Sequence, residues 1–113
     1  MLPKVNRLAK SKEIKDLAQK GKTFFLPQFI FKYYKKGQEP SQFAFVVSTK
    51  VDKRAVVRNK LTRRLKEAIK ELLPQLENGY FVLIIAKKTA LDLDFSQIKK
   101  QLTFALSKIK IYT

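Results

Sequence analysis

Nine of the residues between Lys50 and Lys70 are basic (Lys50, Lys53, Arg54, Arg58, Lys60, Arg63, Arg64, Lys66 and Lys70), against two acids, Asp52 and Glu67. Cations at this density suit one chemistry well, the binding of phosphates. Arginine offers a planar fork that matches two phosphate oxygens, and lysine a compact point charge. A solvated helix face is the ordinary reading of a Lys/Arg run, but here acids are too scarce to neutralise it, and a concentrated patch projects a directed positive field. On a helical wheel, Asn59, Arg63, Lys66 and Lys70 fall opposite an apolar stripe. Arg58 and Arg64 lie on its two margins, where their stems pack and their guanidiniums reach outward. Other chemistries lack their residues. With no histidine and no cysteine, imidazole acid–base work, thiolate chemistry, disulfides and the usual zinc sites are excluded. Few acids are present to hold Mg²⁺ in the way a two-metal protein nuclease requires. Asp92-Leu93-Asp94 is an Asp-x-Asp that could serve a metal, although a helix cap at Asp94 accounts for it more simply.

The charge belongs to a chain of 113 residues with 25 Lys+Arg and 9 Asp+Glu, a formal net charge of +16. Residues 50–70 supply +7 of it, residues 1–22 supply +5, and the two remaining segments +2 each. An apolar share of 45% argues against a disordered polycationic tail, because burial can offset the entropy of ordering. The length suits one domain, residues 1–113, with a core of its own. Met1-Leu2-Pro3-Lys4 is unlike a signal peptide, and the longest apolar run, Tyr80 to Ala86, is far short of the ~20 residues of a membrane span. The expectation is a soluble, cytoplasmic, folded domain whose partner is a polyanion. A membrane-surface role for the basic helix conflicts with the need for its apolar stripe in the core, and no second helix forms a helix-turn-helix with it.

The surrounding elements follow from periodicity. Ser11 as a cap, Ile14, Leu17 and Ala18 at helical spacing and Gly21 as a stop predict a helix over 11–20. Pro27 precedes an aromatic-rich strand, 28–34. Turn residues at 36–40 then predict a hairpin into a strand from Phe43 to Thr49. Val57, Leu61, Leu65, Ala68, Ile69 and Leu72 set a helix over 56–73, stopped by Pro74. The continuous apolar run 80–86 suits a buried, parallel strand. A last helix opens at Asp94, where Gln97 completes a capping box and Leu93 and Ile98 have staple spacing, with Phe95, Ile98, Leu102, Ala105 and Ile109 on its apolar face. The order α-β-β-α-β-α predicts an α/β (α+β) two-layer sandwich, helices packed on one small sheet.

Phe45-Val46-Val47-Ser48-Thr49-Lys50 followed by Arg54-Ala55-Val56-Val57-Arg58-Asn59-Lys60-Leu61-Thr62-Arg63-Arg64-Leu65-Lys66-Glu67-Ala68 resembles the signature of the bacterial ribonuclease P protein subunit: a strand ending in Ser-x-Lys, a loop, and a helix opening Arg-Asn-Arg-(Ile/Leu)-Lys-Arg. The similarity extends to Asn6-Arg7-Leu8 and Ile84-Ile85-Ala86-Lys87-Lys88, nearly the whole length in order. The resemblance implies a single RNA-binding domain, the protein part of a ribonucleoprotein endonuclease that removes the 5′ leader from precursor tRNA. The RNA subunit would carry the catalytic Mg²⁺ ions and the chemistry, the protein being non-catalytic and holding no small-molecule cofactor. It also implies a ribosomal-protein-like fold with a left-handed strand–helix–strand crossover, against the usual hand. By position, Arg54, Arg58, Asn59, Lys60, Arg63, Arg64 and Lys66 would contact the catalytic RNA. Lys60 stands where the family has a second arginine, and Thr62 where it has a lysine; Arg64 lies near enough to compensate for the lost charge. A cleft between the first helix and the sheet would hold the leader, lined by Ile14, Ile30, Lys32, Tyr34, Val46, Ser48, Lys50, Ile85 and Lys87. Strand alternation separates Ile30, Lys32 and Tyr34 from Phe29, Phe31 and Tyr33, and the resemblance implies that the first set faces the cleft. The family's helix aromatics are replaced by Ile14 and Ala18 and a strand tyrosine by Lys32, leaving Tyr34 as a stacker, with Phe24 and Phe25 as substitutes from the loop. A ribosomal or other structural RNA-binding protein shares the charge and fold class and is the alternative.

Overall fold

The computed structural model describes residues 3–7, 11–35, 37 and 40–109. Its longest helix, α2 (Ala55–Leu72), buries Leu61, Leu65, Ala68, Ile69 and Leu72, the stripe that the 3.6-residue period dictates. α1 (Ser11–Lys20) closes at Gly21, whose amide donates to the Leu17 carbonyl at 2.9 Å. A Cβ on Gly21 would meet that carbonyl oxygen at 2.6 Å, so the stop takes only glycine without a shift. α3 (Phe95–Lys108) opens with the expected capping box. Asp94 Oδ1 accepts from the Gln97 amide at 2.8 Å, and Gln97 Oε1 accepts from the Asp94 amide at 2.9 Å. The Ser11 side chain with its cap, Leu8, and Lys36, Gln38 and Glu39 of the turn lie outside the described residues.

Four strands form one mixed sheet: β1 (Lys22–Phe25), β2 (Phe29–Lys35), β3 (Gln42–Val46) and β4 (Tyr80–Ala86), in the spatial order β1-β2-β4-β3. β1 and β4 each pair antiparallel with β2, while β3 runs parallel to β4 with α2 as the crossover. Two expectations change. β1 is an additional strand, and the hairpin between the second and third strands does not form, because β4 lies between them. β4 carries Phe81, Val82, Leu83 and Ile84 all buried, side chains from both of its faces, and such a strand gains most at the centre of a sheet. The β2–β3 connection therefore passes over the turn that enters β4. There Gly79 has φ +94°, and the Gly37 carbonyl occupies the space a Gly79 side chain would need. β3 also ends at Val46 rather than Thr49, since the chain turns at Ser48, whose carbonyl accepts from the Val51 amide at 3.0 Å.

α2 and α3 lie together on one face of the sheet over a core that includes Phe29, Phe31, Leu65, Ile69, Ile84, Ile98, Leu102 and Leu106, all with no exposed surface. This is the expected α+β sandwich, with α1 covering part of the opposite face. A second, smaller core there joins Leu17 to Ala44, Phe81 and Leu83, with Ile14, Ala18, Tyr34 and Ile85 half-buried around it. Ser41, a buried polar residue, ties the start of β3 to the turn that enters β4. Its hydroxyl donates to the Glu77 carbonyl (2.6 Å) and accepts from the Tyr80 amide (3.0 Å), and its carbonyl accepts from Asn6 Nδ2 (2.8 Å). Asn6, part of the signature-like amino-terminal segment, thus has a structural task.

Candidate nucleic-acid interface

The basic residues of α2 divide by what they touch. Arg54, at the N-cap position, grips Asp52 with a two-pronged contact, Nε to Oδ1 at 3.1 Å and Nη2 to Oδ2 at 3.0 Å, and its backbone amide donates to the same carboxylate at 2.8 Å. These bonds hold the Asp52 carboxyl down at about 2, the Arg54 side chain contributing most, and raise Arg54 in turn. Arg58 Nη1 donates to the backbone carbonyls of Asp52 (3.0 Å) and Lys53 (2.8 Å). Arg54 and Arg58 are therefore partly committed to the loop that joins β3 to α2. The Thr62 hydroxyl donates back to the Arg58 carbonyl at 3.0 Å.

Asn59, Lys60 and Arg63 are exposed, and Arg64 and Lys66 half-buried. Lys60 and Arg64, one turn apart, line two adjoining hollows. The larger, about 420 Å³, lies between α2 and the 3₁₀ turn Lys88–Asp92 and is walled by Arg54, Val56, Val57, Leu61, Ala90 and Leu91 besides that pair. The smaller, about 260 Å³, adds Arg63, Glu67 and Phe95. Asn59 and Lys66 line neither. Three cations beside an apolar wall, with no carboxylate in the larger hollow, form a surface for phosphates along one edge of the helix.

The opposite face of the sheet is assembled by register. Phe25 pairs with Ile30, Ile30 with Ile85, and Ile85 with Val46, so these four side chains form one row across all four strands. Thr23, Lys32, Leu83 and Ala44 form the next row, and Lys32 Nζ donates to Thr23 Oγ1 at 3.5 Å. α1 packs its Leu17 against Leu83, Ala44 and Phe81, leaving the Phe25–Val46 row open at its ends: Phe25 is 67% exposed and Val46 37%. Ile30, Ile85 and Lys87 are half-buried, and Ile14 stands on α1 beside the second core. Ser48 and Lys50, expected on the strand, sit in the turn beyond Val46, where Ser48 Oγ accepts from the Lys50 amide at 3.3 Å.

The aromatics resolve differently from the sequence expectation. Tyr34 is half-buried in the second core, its ring edge-on to Phe81 at 5.4 Å. Phe24 and Phe25 belong to a strand rather than a loop, so alternation sends them to opposite faces. Phe24 joins Phe31 and Phe104 on the α3 side, with centroids 6.4 and 6.3 Å away, and Phe25 faces the open row. Period-two alternation over Lys22–Phe25 would have separated the pair, had that short segment been read as a strand. Among the described residues no group of three or more His, Cys, Asp or Glu is placed to hold a metal, and the Asp94 carboxylate caps α3.

Comparison with known proteins places this architecture. The ribonuclease P family model matches residues 2–110. The ribonuclease P protein component of Cyanothece sp. is 30% identical, covering 98% of this chain and 97% of its own, and that of Rippkaea orientalis is 31% identical over 97% and 91%. In fold, the chain is similar to the RNase P protein of Staphylococcus aureus (TM-score 0.85, 24% identity, 97% of this chain and 100% of that one) and to that of Thermotoga maritima (TM-score 0.83, 24% identity, 92% and 97%). The mixed sheet, the helix carrying the Arg-Asn-Lys segment and the family match agree: the chain belongs to the ribonuclease P protein family, the protein component of the ribonucleoprotein that processes the 5′ end of tRNA.

Proposed function

We propose that this chain acts as one RNA-binding unit with two surfaces, docking on the catalytic RNA through α2 and holding the 5′ leader of precursor tRNA on the α1 side of the sheet. Arg54, Arg58, Asn59, Lys60, Arg63, Arg64 and Lys66 form the docking surface, with Lys60 and Arg64 at its centre. Ile14, Ile30, Lys32, Tyr34, Val46, Ser48, Lys50, Ile85 and Lys87 surround the leader. Mg²⁺ and the hydrolytic step belong to the RNA subunit, in the cytoplasm, and the protein contributes by raising local affinity for the precursor.

The observation that carries this reading is the division of labour between the two surfaces. One is a helix edge whose exposed cations suit the phosphates of a folded RNA. The other is an apolar and aromatic row flanked by Lys32, Lys50 and Lys87, the combination that holds single strands. The test is reconstitution with a bare bacterial ribonuclease P RNA and precursor tRNA at low Mg²⁺. Addition of the protein is expected to accelerate leader removal and to lower the Mg²⁺ required. No gain in cleavage would overturn the reading, and cleavage by the protein alone would move catalysis to the chain.

A further inference from the structure

Val56 stands in the first turn of α2 with 77% of its surface exposed, the most exposed large apolar side chain among the described residues. The core does not account for it, since the buried stripe of α2 begins at Leu61. A single exposed valine is ordinary on a protein surface. This one is set into the concave wall of the larger hollow, about 420 Å³, with Val57 and Leu61 beside it and Ala90 and Leu91 on the 3₁₀ turn. The rim carries Arg54, Lys60 and Arg64 and no acid.

Both walls are held before any partner arrives. α2 is packed on the core through Leu61, which is 3% exposed. The turn is fixed by the Ala90 amide donating to the Lys87 carbonyl (2.9 Å) and the Leu93 amide to the Ala90 carbonyl (3.2 Å). Thr89 Oγ1 ties it to β2 by donating to the Pro27 carbonyl at 3.2 Å. A preformed hollow with apolar walls and a cationic rim suits a ligand that is apolar at one end and anionic at the other. Phosphates alone leave the apolar wall unused. An A-form duplex offers little more than phosphates and hydroxyls, whereas an unpaired nucleotide offers its base as well.

We infer that this hollow seats an unpaired nucleotide of the catalytic RNA, its base against Val56 and Leu91 and its phosphates at Lys60 and Arg64. This rests on the docking reading of α2 above and adds to it the chemical class of the RNA element, a bulged or looped base rather than uninterrupted duplex. Two energies then meet at α2. The phosphate contacts carry the salt dependence, and burial of the base adds affinity that salt leaves in place.

The experiment measures binding of the full chain to a bacterial ribonuclease P RNA across a salt series. Val56 is exposed, so its substitutions should leave the thermal midpoint unchanged. Val56→Ala is expected to weaken binding by about three- to fifteenfold at every salt concentration, the range for partial to full burial of the methyl groups removed, with no change in the salt slope. Val56→Ile should bind at least as tightly as wild type. Val56→Lys separates a base seat from a face that takes phosphates alone. On a phosphate-only face the added cation would tighten binding and steepen the slope by about 0.7–0.9. In a base seat the same substitution weakens binding. Base-specific chemical probing of the RNA gives a second readout: wild-type protein should protect an unpaired base that the Val56→Lys protein leaves reactive. Val56→Ala affinity equal to wild type, tighter binding by Val56→Lys, or no base protected in this way would overturn the seat while leaving α2 as the docking face. Wild-type affinity retained after joint loss of Lys60, Arg63 and Arg64 would overturn the docking reading itself.

Discussion

The two faces of the sheet are built in opposite ways, and each suits a different mode of binding RNA under the proposed function. On the α2 side, charge is concentrated on one continuous helix, and the exposed groups Lys60 and Arg63 depend on nothing but local periodicity for their common direction. On the α1 side, the Phe25–Ile30–Ile85–Val46 row exists only because three strand pairings hold their registers, and a slip of one residue in any of them would turn its side chains to the other face. On the proposed reading, the first surface would draw its affinity from counterion release and be sensitive to salt, and the second would draw it from apolar contact and stacking and be much less so. A protein that must stay bound to one RNA while releasing products of another gains from keeping these energies on separate elements.

The strongest way to break the comparison is to remove the cations of one face. Replacing Lys60, Arg63 and Arg64 together with alanine is expected to lower affinity for the catalytic RNA by about a hundred- to thousand-fold near 0.1 M salt, and to reduce the slope of log K against log salt by about two to three. Filter binding across a salt series measures both. An unchanged slope would remove α2 as the docking face. Arg58 is a poorer choice for this purpose, because its guanidinium braces the Asp52 and Lys53 carbonyls and its loss would also loosen the loop.

A smaller effect tests which aromatic on the sheet face serves packing. Tyr34 sits edge-on to Phe81 in the second core, so Tyr34→Ala should cost about 1–3 kcal/mol of stability, visible as a lower denaturation midpoint. Phe25→Ala should leave that midpoint in place. The reverse result, a stable Tyr34→Ala protein and an unstable Phe25→Ala protein, would exchange the roles assigned to the two rings.

Legibility in the sequence tracked the same divide. The α2 stripe from Leu61 to Leu72, the Asp94–Gln97 capping box and the Gly21 stop all depend on residues within about four positions of one another, and local periodicity identified them. That Ile30, Lys32 and Tyr34 share one face follows from alternation alone, and that this face lies on the α1 side followed from the family resemblance. Sheet order did not. Gln42–Val46 follows a turn-rich segment and looks like the second arm of a hairpin, but the Tyr80–Ala86 strand, buried from Phe81 to Ile84, competes for the central place and wins, and that competition is between segments some 40 residues apart. β1 was missed because four residues after a helix stop carry too short a pattern, and with it went the separation of Phe24 from Phe25. The residues of the docking helix could be named from the motif, but not that Arg54 and Arg58 spend hydrogen bonds on Asp52 and its neighbours, since those contacts depend on the backbone path of the loop.

That loop, Ser48 to Arg54, is where the two faces meet, and its pH dependence offers the finest test. Asp52 is held at about 2 in the folded chain against an ordinary value of 3.8, through its bonds to Arg54. A carboxyl whose value is depressed on folding contributes its stability above the unfolded value and loses it as pH falls toward the folded one. The contribution is therefore complete above about pH 5 and disappears between pH 4 and 2. An Asp52→Asn protein, which cannot ionise there, should show a slightly lower thermal midpoint than wild type at neutral pH, with the difference closing as pH approaches 2. If the two surfaces are energetically independent, this substitution should weaken catalytic-RNA binding and leader binding only through disorder of the loop. Both losses should then be small, and neither should change the salt slope by as much as one lost phosphate contact. A loss confined to the catalytic RNA would place the Arg54–Asp52 pair with the docking face. A loss confined to leader binding would place it with the row.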